Sequence, residues 1–161
     1  MLVRIVTGLA LLSAGLLAGA FGYGAANVQP TFNAVPVDVR LTFHTALMHL
    51  NSPIVQTAMA VTVLSSLALA VLSRGASRYL AGAAGLLAVA SFLITRFGNV
   101  PINGQMKIWA VTSPPPDFRS ILDRWEMFNV MRTVTALVAF ILIITIVVGV
   151  TKSSSKRDAL S

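Results

Sequence analysis

"RWEMFNVMRTVTALVAFILIITIVVGV", residues 124–150, joins two kinds of sequence without a break. Its second part, 133–150, carries no charged side chain. A bilayer core of about 30 Å asks for about 20 apolar residues as helix. A helix is also the one single-segment structure that satisfies its own backbone groups in lipid. Its first part is dense in arginine, asparagine and aromatic residues. The stretch therefore predicts a membrane-spanning shaft with a polar head.

Working outward, three more apolar runs appear, at 5–26, 52–73 and 79–95. The chain has 161 residues, 56% hydrophobic and 11% charged, where a soluble domain carries about a quarter charged. The length suits one domain. The fold class expected is all-α, an integral membrane four-helix bundle. Helices are placed at about 4–26, 52–73, 78–97 and 128–150, within a transmembrane domain 1–151, followed by a basic, mobile tail at 152–161. The first run also has the outline of a signal peptide. It is longer than a usual signal core, and Gly15, Gly19 and Gly22 fall on one helical face, as close packing uses. It is read as a retained helix.

Short connections and basic density set the orientation. One end would hold Arg4, Arg74, Arg78, Lys152, Lys156 and Arg157. The other would hold Arg40, Arg96, Lys107, Arg119, Arg124 and Arg132, together with four of the five acids. The first end packs its charge into far fewer residues, which favours both termini in the cytoplasm and a plasma (inner) membrane location. The net charge of +7 is then a membrane feature that meets anionic lipid. No basic stripe with interleaved aromatics points to nucleic acid. The chain has no cysteine, which excludes disulfides and thiolate chemistry.

Two longer segments, 27–51 and 98–127, emerge at the same end. Connections beyond about 12–15 residues are usually functional or disordered, and these are too rich in Phe, Trp, Leu and Met for disorder. The first holds His44 and His49, about 140° apart on a helix, which is no i, i+4 metal pair. One is expected to be interfacial and one buried, or one acts as base, proton relay or axial haem ligand. The second opens with "RFGNVPINGQMKIW", residues 96–109. Pro101 biases the preceding residue away from helical angles, so the helix is expected to stop at Asn99–Val100. Three prolines and Asp117 as a helix cap then lead into the last helix. On it Trp125, Asn129 and Arg132 lie at i, i+4, i+7. Arginine at a helix end can snorkel, tryptophan belongs at the interface, and asparagine caps turns. The convergence of Arg96, Asn99, Asn103, Trp109, Trp125, Asn129 and Arg132 on one mouth predicts a polar pocket.

These same residues carry a resemblance. Asn-x-Pro-Ile-Asn (99–103), Trp109 shortly after, and Arg-Trp-x-x-Phe-Asn-x-x-Arg (124–132) resemble the anthrone oxygenase-like membrane proteins over nearly the whole chain. The resemblance implies a four-helix fold with a pocket. Its characterised relatives oxidise an anthrone to an anthraquinone with O₂, without a known metal. In those terms His44 or His49 would be the base, Arg96, Arg132 and the asparagines would hold the oxyanion, and Trp109 and Trp125 would stack on a flat substrate. The partners implied are membrane lipid and a hydrophobic aromatic or quinone-like small molecule. Two other readings stand beside this one. A haem- or quinone-binding electron-transfer protein would use a histidine ligand in the bundle. An accessory subunit would pack through Gly15/Gly19 and Gly82/Gly85 onto a larger membrane complex or a second copy as a homo-oligomer. Whether there is a cofactor, none or haem, is left open by the residues.

Overall fold

The computed structural model describes the backbone of residues 1–158 and the side chains of residues 1–149; the end of the expected tail, residues 159–161, lies outside the described residues. Every regular element described is helical. Helix α1 (Leu2–Tyr23) passes through a π-helical turn (Gly24–Val28) into α2 (Gln29–Asn33). Helix α3 (Val37–Leu72) returns, and α4 (Ala76–Ile94) goes back through a second π turn (Thr95–Asn99) into α5 (Val100–Trp109). The last helix, α6 (Phe118–Asp158), follows a proline-rich connection.

The long segments expected between spans are therefore mostly helix. Pro101 does not end its helix, because the π turn has already shifted the hydrogen-bond pattern and the proline falls in the first turn of α5. There its missing N–H would have no partner anyway. Pro30 enters α2 by the same device. Pro53 lies inside α3 and removes one bond without stopping it.

Four continuous helices of 32 to 36 residues, Leu2–Asn33, Val37–Leu72, Ala76–Trp109 and Phe118–Gly149, are long and apolar enough to cross a membrane. At 1.5 Å per residue each reaches roughly 50 Å, against a hydrocarbon core of about 30 Å. Roughly a dozen residues of each are left over, and the polar sequence places that excess at one end. We call this end the mouth, and the end with the 73–75 turn the turn end. The chain is a small integral membrane protein.

Each helix contacts two neighbours, in the ring α1, α3, α4, α6, all antiparallel. Near the turn end the core is built of Ala10, Ala81, Ala84 and Ala139 around Leu69 and Ile143. Small side chains let backbones approach, the main source of cohesion where lipid is as apolar as leucine. Gly85 lies so close to α3 that a Cβ would come 2.6 Å from Leu67 Cδ2. Toward the mouth the core widens to Leu41, Met106, Trp109, Leu122 and Trp125. Leucines and isoleucines such as Leu12, Leu16, Ile54 and Leu86 face outward, as a lipid-facing surface requires. At the turn end Gly75 takes φ 58°, in the left-handed region glycine favours. Arg78 closes α3 by donating to the Ala70 and Val71 carbonyls at 3.2 and 3.3 Å.

Candidate functional site

At the mouth every helix carries a pair of hydrogen-bonding side chains at i, i+4 spacing, the spacing that puts two residues on one face. The α1–α2 helix brings Gln29 and Asn33, and α3 brings Arg40 and His44. Asn99 and Asn103 come from the second π turn and α5. Helix α6 brings Trp125 and Asn129, with Glu126 beside them.

Glu126 is the hub. Its Oε1 accepts from Arg40 Nη2 at 3.0 Å, forming an ion pair. Its Oε2 accepts from Gln29 Nε2 and Asn33 Nδ2, both at 3.1 Å. Arg40 also donates to Asn33 Oδ1. The network continues inward: Asn129 donates to Gln29 Oε1 at 3.0 Å, and its own Oδ1 accepts from Arg132 Nε at 3.0 Å and Nη2 at 2.6 Å. The Arg132 guanidinium lies over the Phe21 ring, 4.4 Å from its centroid, a cation–π contact that steadies a charge near the apolar zone. Arg40 is only 5% exposed, and an arginine that buried needs a counter-charge. Glu126 supplies it.

Beside this network lies a second group centred on Trp125. The indole Nε1 donates to Asn103 Oδ1 at 2.7 Å. The Trp125 carbonyl accepts from Asn99 Nδ2 at 3.0 Å, and this carbonyl lies on a helix whose own ladder leaves its second lone pair free. His44, 3% exposed, meets Trp125 edge-on at 4.5 Å between centroids and stacks on Phe32 at 4.7 Å. The backbone at Gly98 touches Phe128, where a Cβ would come 2.5 Å from the ring. Only glycine lets the π turn sit that close to α6.

Four buried polar atoms of this region have no hydrogen-bond partner: Arg40 Nε, His44 Nδ1, Thr45 Oγ1 and Asn99 Oδ1. Burying an unpaired polar group is costly, and few buried groups are left so. Three of the four lie within two turns of α3 and the fourth in the second π turn.

Of the residues expected from sequence, Asn99, Asn103, Trp125, Asn129, Arg132 and His44 are brought together. Trp109 packs into the same core layer as Trp125. His49 and Arg96 are exposed on the outside of their helices, and Arg96 makes no hydrogen bond or ion pair among the described residues. Sequence reasoning missed Arg40, Glu126, Gln29 and Asn33. Two signals pointed to them: Arg40 stands four residues before His44, and Glu126 three before Asn129.

Among the described residues no three His, Asp or Glu side chains gather where they could hold a metal ion. Of the two histidines, only His44 lies where a group held inside the bundle could reach it. Residues 40–142, well over half of the chain, match the family described as anthrone oxygenase. The match begins at Arg40 and takes in both motif stretches. No curated protein and no solved structure matches the chain significantly.

Proposed function

We propose, from the premise that this chain belongs to the anthrone oxygenase family, that it oxidises a planar, lipid-soluble aromatic at the mouth with O₂. The observation that carries this reading is His44: a buried imidazole with an unpartnered Nδ1, between two aromatic rings and one helical turn from Arg40. A side chain in that setting suits a base acting on a substrate rather than a structural link.

The chemistry asks three things of the residues. His44 Nδ1 takes a proton from an activated ring CH₂, and the negative charge spreads onto the substrate's ring oxygen. Arg40 Nε and the Arg132 guanidinium hold that oxygen, the electrostatic stabilisation that usually dominates such steps. O₂ then adds at the carbanion carbon to give a hydroperoxide. Loss of the second C–H proton with departure of hydroxide leaves a carbonyl. In balance, CH₂ and O₂ become C=O and H₂O, with one oxygen atom in each product. Phe32 and Trp125 supply flat apolar walls.

The same reading puts the mouth on the outer face of the plasma membrane with both termini cytoplasmic. It is supported by the unbalanced arginines at the turn end and by the acids at the mouth.

The test uses the detergent-purified chain, anthrone as probe, an oxygen electrode and mass spectrometry of the product. Catalysed consumption of one O₂ per anthrone is expected, falling 10²-fold or more in His44→Ala, the usual scale for loss of a general base. Asn129→Ala should keep the fold and lose activity through the displaced Arg132, while His49→Ala stays active. If His44→Ala turns over as fast as the native chain, the base assignment is wrong.

A further inference from the structure

At the turn end the bundle has a second surface that the oxidation reading does not use. Between α3 and α4 there lies a surface groove of about 540 Å³, lined by Ala70, Val71, Gly82 and Leu86, with Arg78 and Tyr79 at its rim. Gly82 leaves the floor open, since even a Cβ there would meet only Ala70 Cβ, at 3.9 Å. The walls are apolar and face lipid: Val71 and Leu86 are exposed.

The rim is cationic, and among the described residues it has no counter-charge. Arg40–Glu126 is the one ion pair among the described residues. Asp38, Asp117, Asp123 and Glu126 all belong to the mouth, and Asp158 lies beyond the described side chains. Arg74, in the turn, and Arg78 are both exposed. Arg78 commits Nε and Nη2 to the carbonyls of α3, which fixes its guanidinium at the groove while Nη1 stays free. The N-terminus of α4 begins at the same point, with Gly75 as its cap and no side-chain hydrogen bond to its first N–H groups. A helix N-terminus with free N–H groups favours an anion. Tyr79 beside it is exposed, a residue type favoured where a membrane meets water.

We propose that this groove binds one anionic phospholipid, with its phosphate on Arg78 and the α4 N-terminus, and an acyl chain along Gly82 between α3 and α4. A fixed arginine, an uncapped helix start and an apolar channel leading away from both match the two halves of such a lipid. Basic pockets between membrane helices recognise anionic headgroups by this logic.

The full chain would be exchanged into micelles doped with phosphatidylglycerol or phosphatidylcholine, and retained lipids counted by native mass spectrometry. One phosphatidylglycerol is expected, held about fivefold better than phosphatidylcholine, the scale of one basic residue at an anionic surface. Arg78→Ala should abolish that preference. Because Arg78 also closes α3, Gly82→Leu serves as the second variant: it fills the groove, leaves the arginines in place and should lower retention of both lipids. Equal retention of the two lipids by the native chain would overturn the headgroup site. Undiminished retention in Gly82→Leu would overturn the groove. A change in oligomeric state with unchanged lipid count in that variant would make the groove a contact between copies, and would also overturn it. Loss of anthrone oxidation at His44 leaves each of these outcomes unaffected, so the two assignments fail separately.

Discussion

The two halves of the bundle use polar groups in opposite ways. In the half near the turn end, hydroxyls bond along their own helix: Thr62 to Ala58, Ser65 to Val61 and Thr145 to Ile141, four residues back in each case. At the mouth side-chain bonds also run between helices, joining Gln29, Asn33, Arg40, Asn103, Trp125, Glu126 and Asn129 over three helix pairs, one of which, α3 with α6, lies across the ring. A bond to the helix's own carbonyl survives any movement of that helix. A bond across helices exists only when both are correctly placed, so the shaft is held by shape and the mouth by mutual agreement. Rigid placement of charged and aromatic groups is what a reactive site needs, and it comes at the cost of dependence on every member.

That contrast is tested most strongly at Glu126. Glu126→Gln removes the charge that balances Arg40 and leaves a guanidinium buried without its partner. Breaking such a pair from one side costs about 3 kcal/mol, at the low end of the range because Glu126 is 16% exposed. Thermal unfolding in detergent should show a large loss. Replacing both partners together, Arg40→Leu with Glu126→Met, should recover much of it, since no charge is then stranded. A single variant as stable as the native chain would mean the mouth is not held by this pair.

How much of this was legible follows from the same contrast. The four shafts follow from composition and length alone, because lipid asks only for an apolar surface and internal backbone bonds. The Trp125, Asn129 and Arg132 stripe was legible because it lies on one unbroken helix. Glu126 was not, because its importance comes from Arg40 and Asn33, some ninety residues away and brought near by the ring. Arg96 was misleading for a different reason. It lies in a π turn, and i, i+4 spacing cannot be carried across a turn with an extra residue. Asn99 and Asn103, in register with the helix beyond, point inward while Arg96 faces out. Proline was the other misleading signal: Pro101 argued for a stop, and the π turn before it removed the reason for one.

Glycine substitutions sharpen the comparison at a smaller scale. At the mouth, Gly98→Ala puts a Cβ 2.5 Å from the Cγ of Phe128, the root of a rigid ring. Overpacking of that kind costs about 2 kcal/mol. Gly85→Ala in the shaft meets Leu67 Cδ2 at 2.6 Å, the far end of a side chain that can turn, and should cost less. Gly19→Ala meets nothing within 4 Å and should be neutral or stabilising, since alanine is the better helix former. If the order of the first two is reversed in thermal unfolding, the mouth is the softer half. Gly98→Ala combined with Phe128→Leu should regain stability by relieving the clash.

The smallest effect is expected where the shaft comes nearest to imitating the mouth. The Ser13 and Ser65 hydroxyls lie 3.5 Å apart across α1 and α3, a bond from side chain to side chain between two helices of the shaft. Each also has a carbonyl of its own helix, Ala10 for Ser13 and Val61 for Ser65. Removing either hydroxyl therefore strands nothing, because the remaining one keeps its local acceptor. Cross-helix hydroxyl bonds inside membranes average about 0.6 kcal/mol, and at this length Ser13→Ala should cost no more than that. A double-mutant cycle with Ser65→Ala would isolate the coupling. A value near zero would complete the contrast, whereas a coupling as large as that of Arg40 with Glu126 would show the shaft to be wired like the mouth.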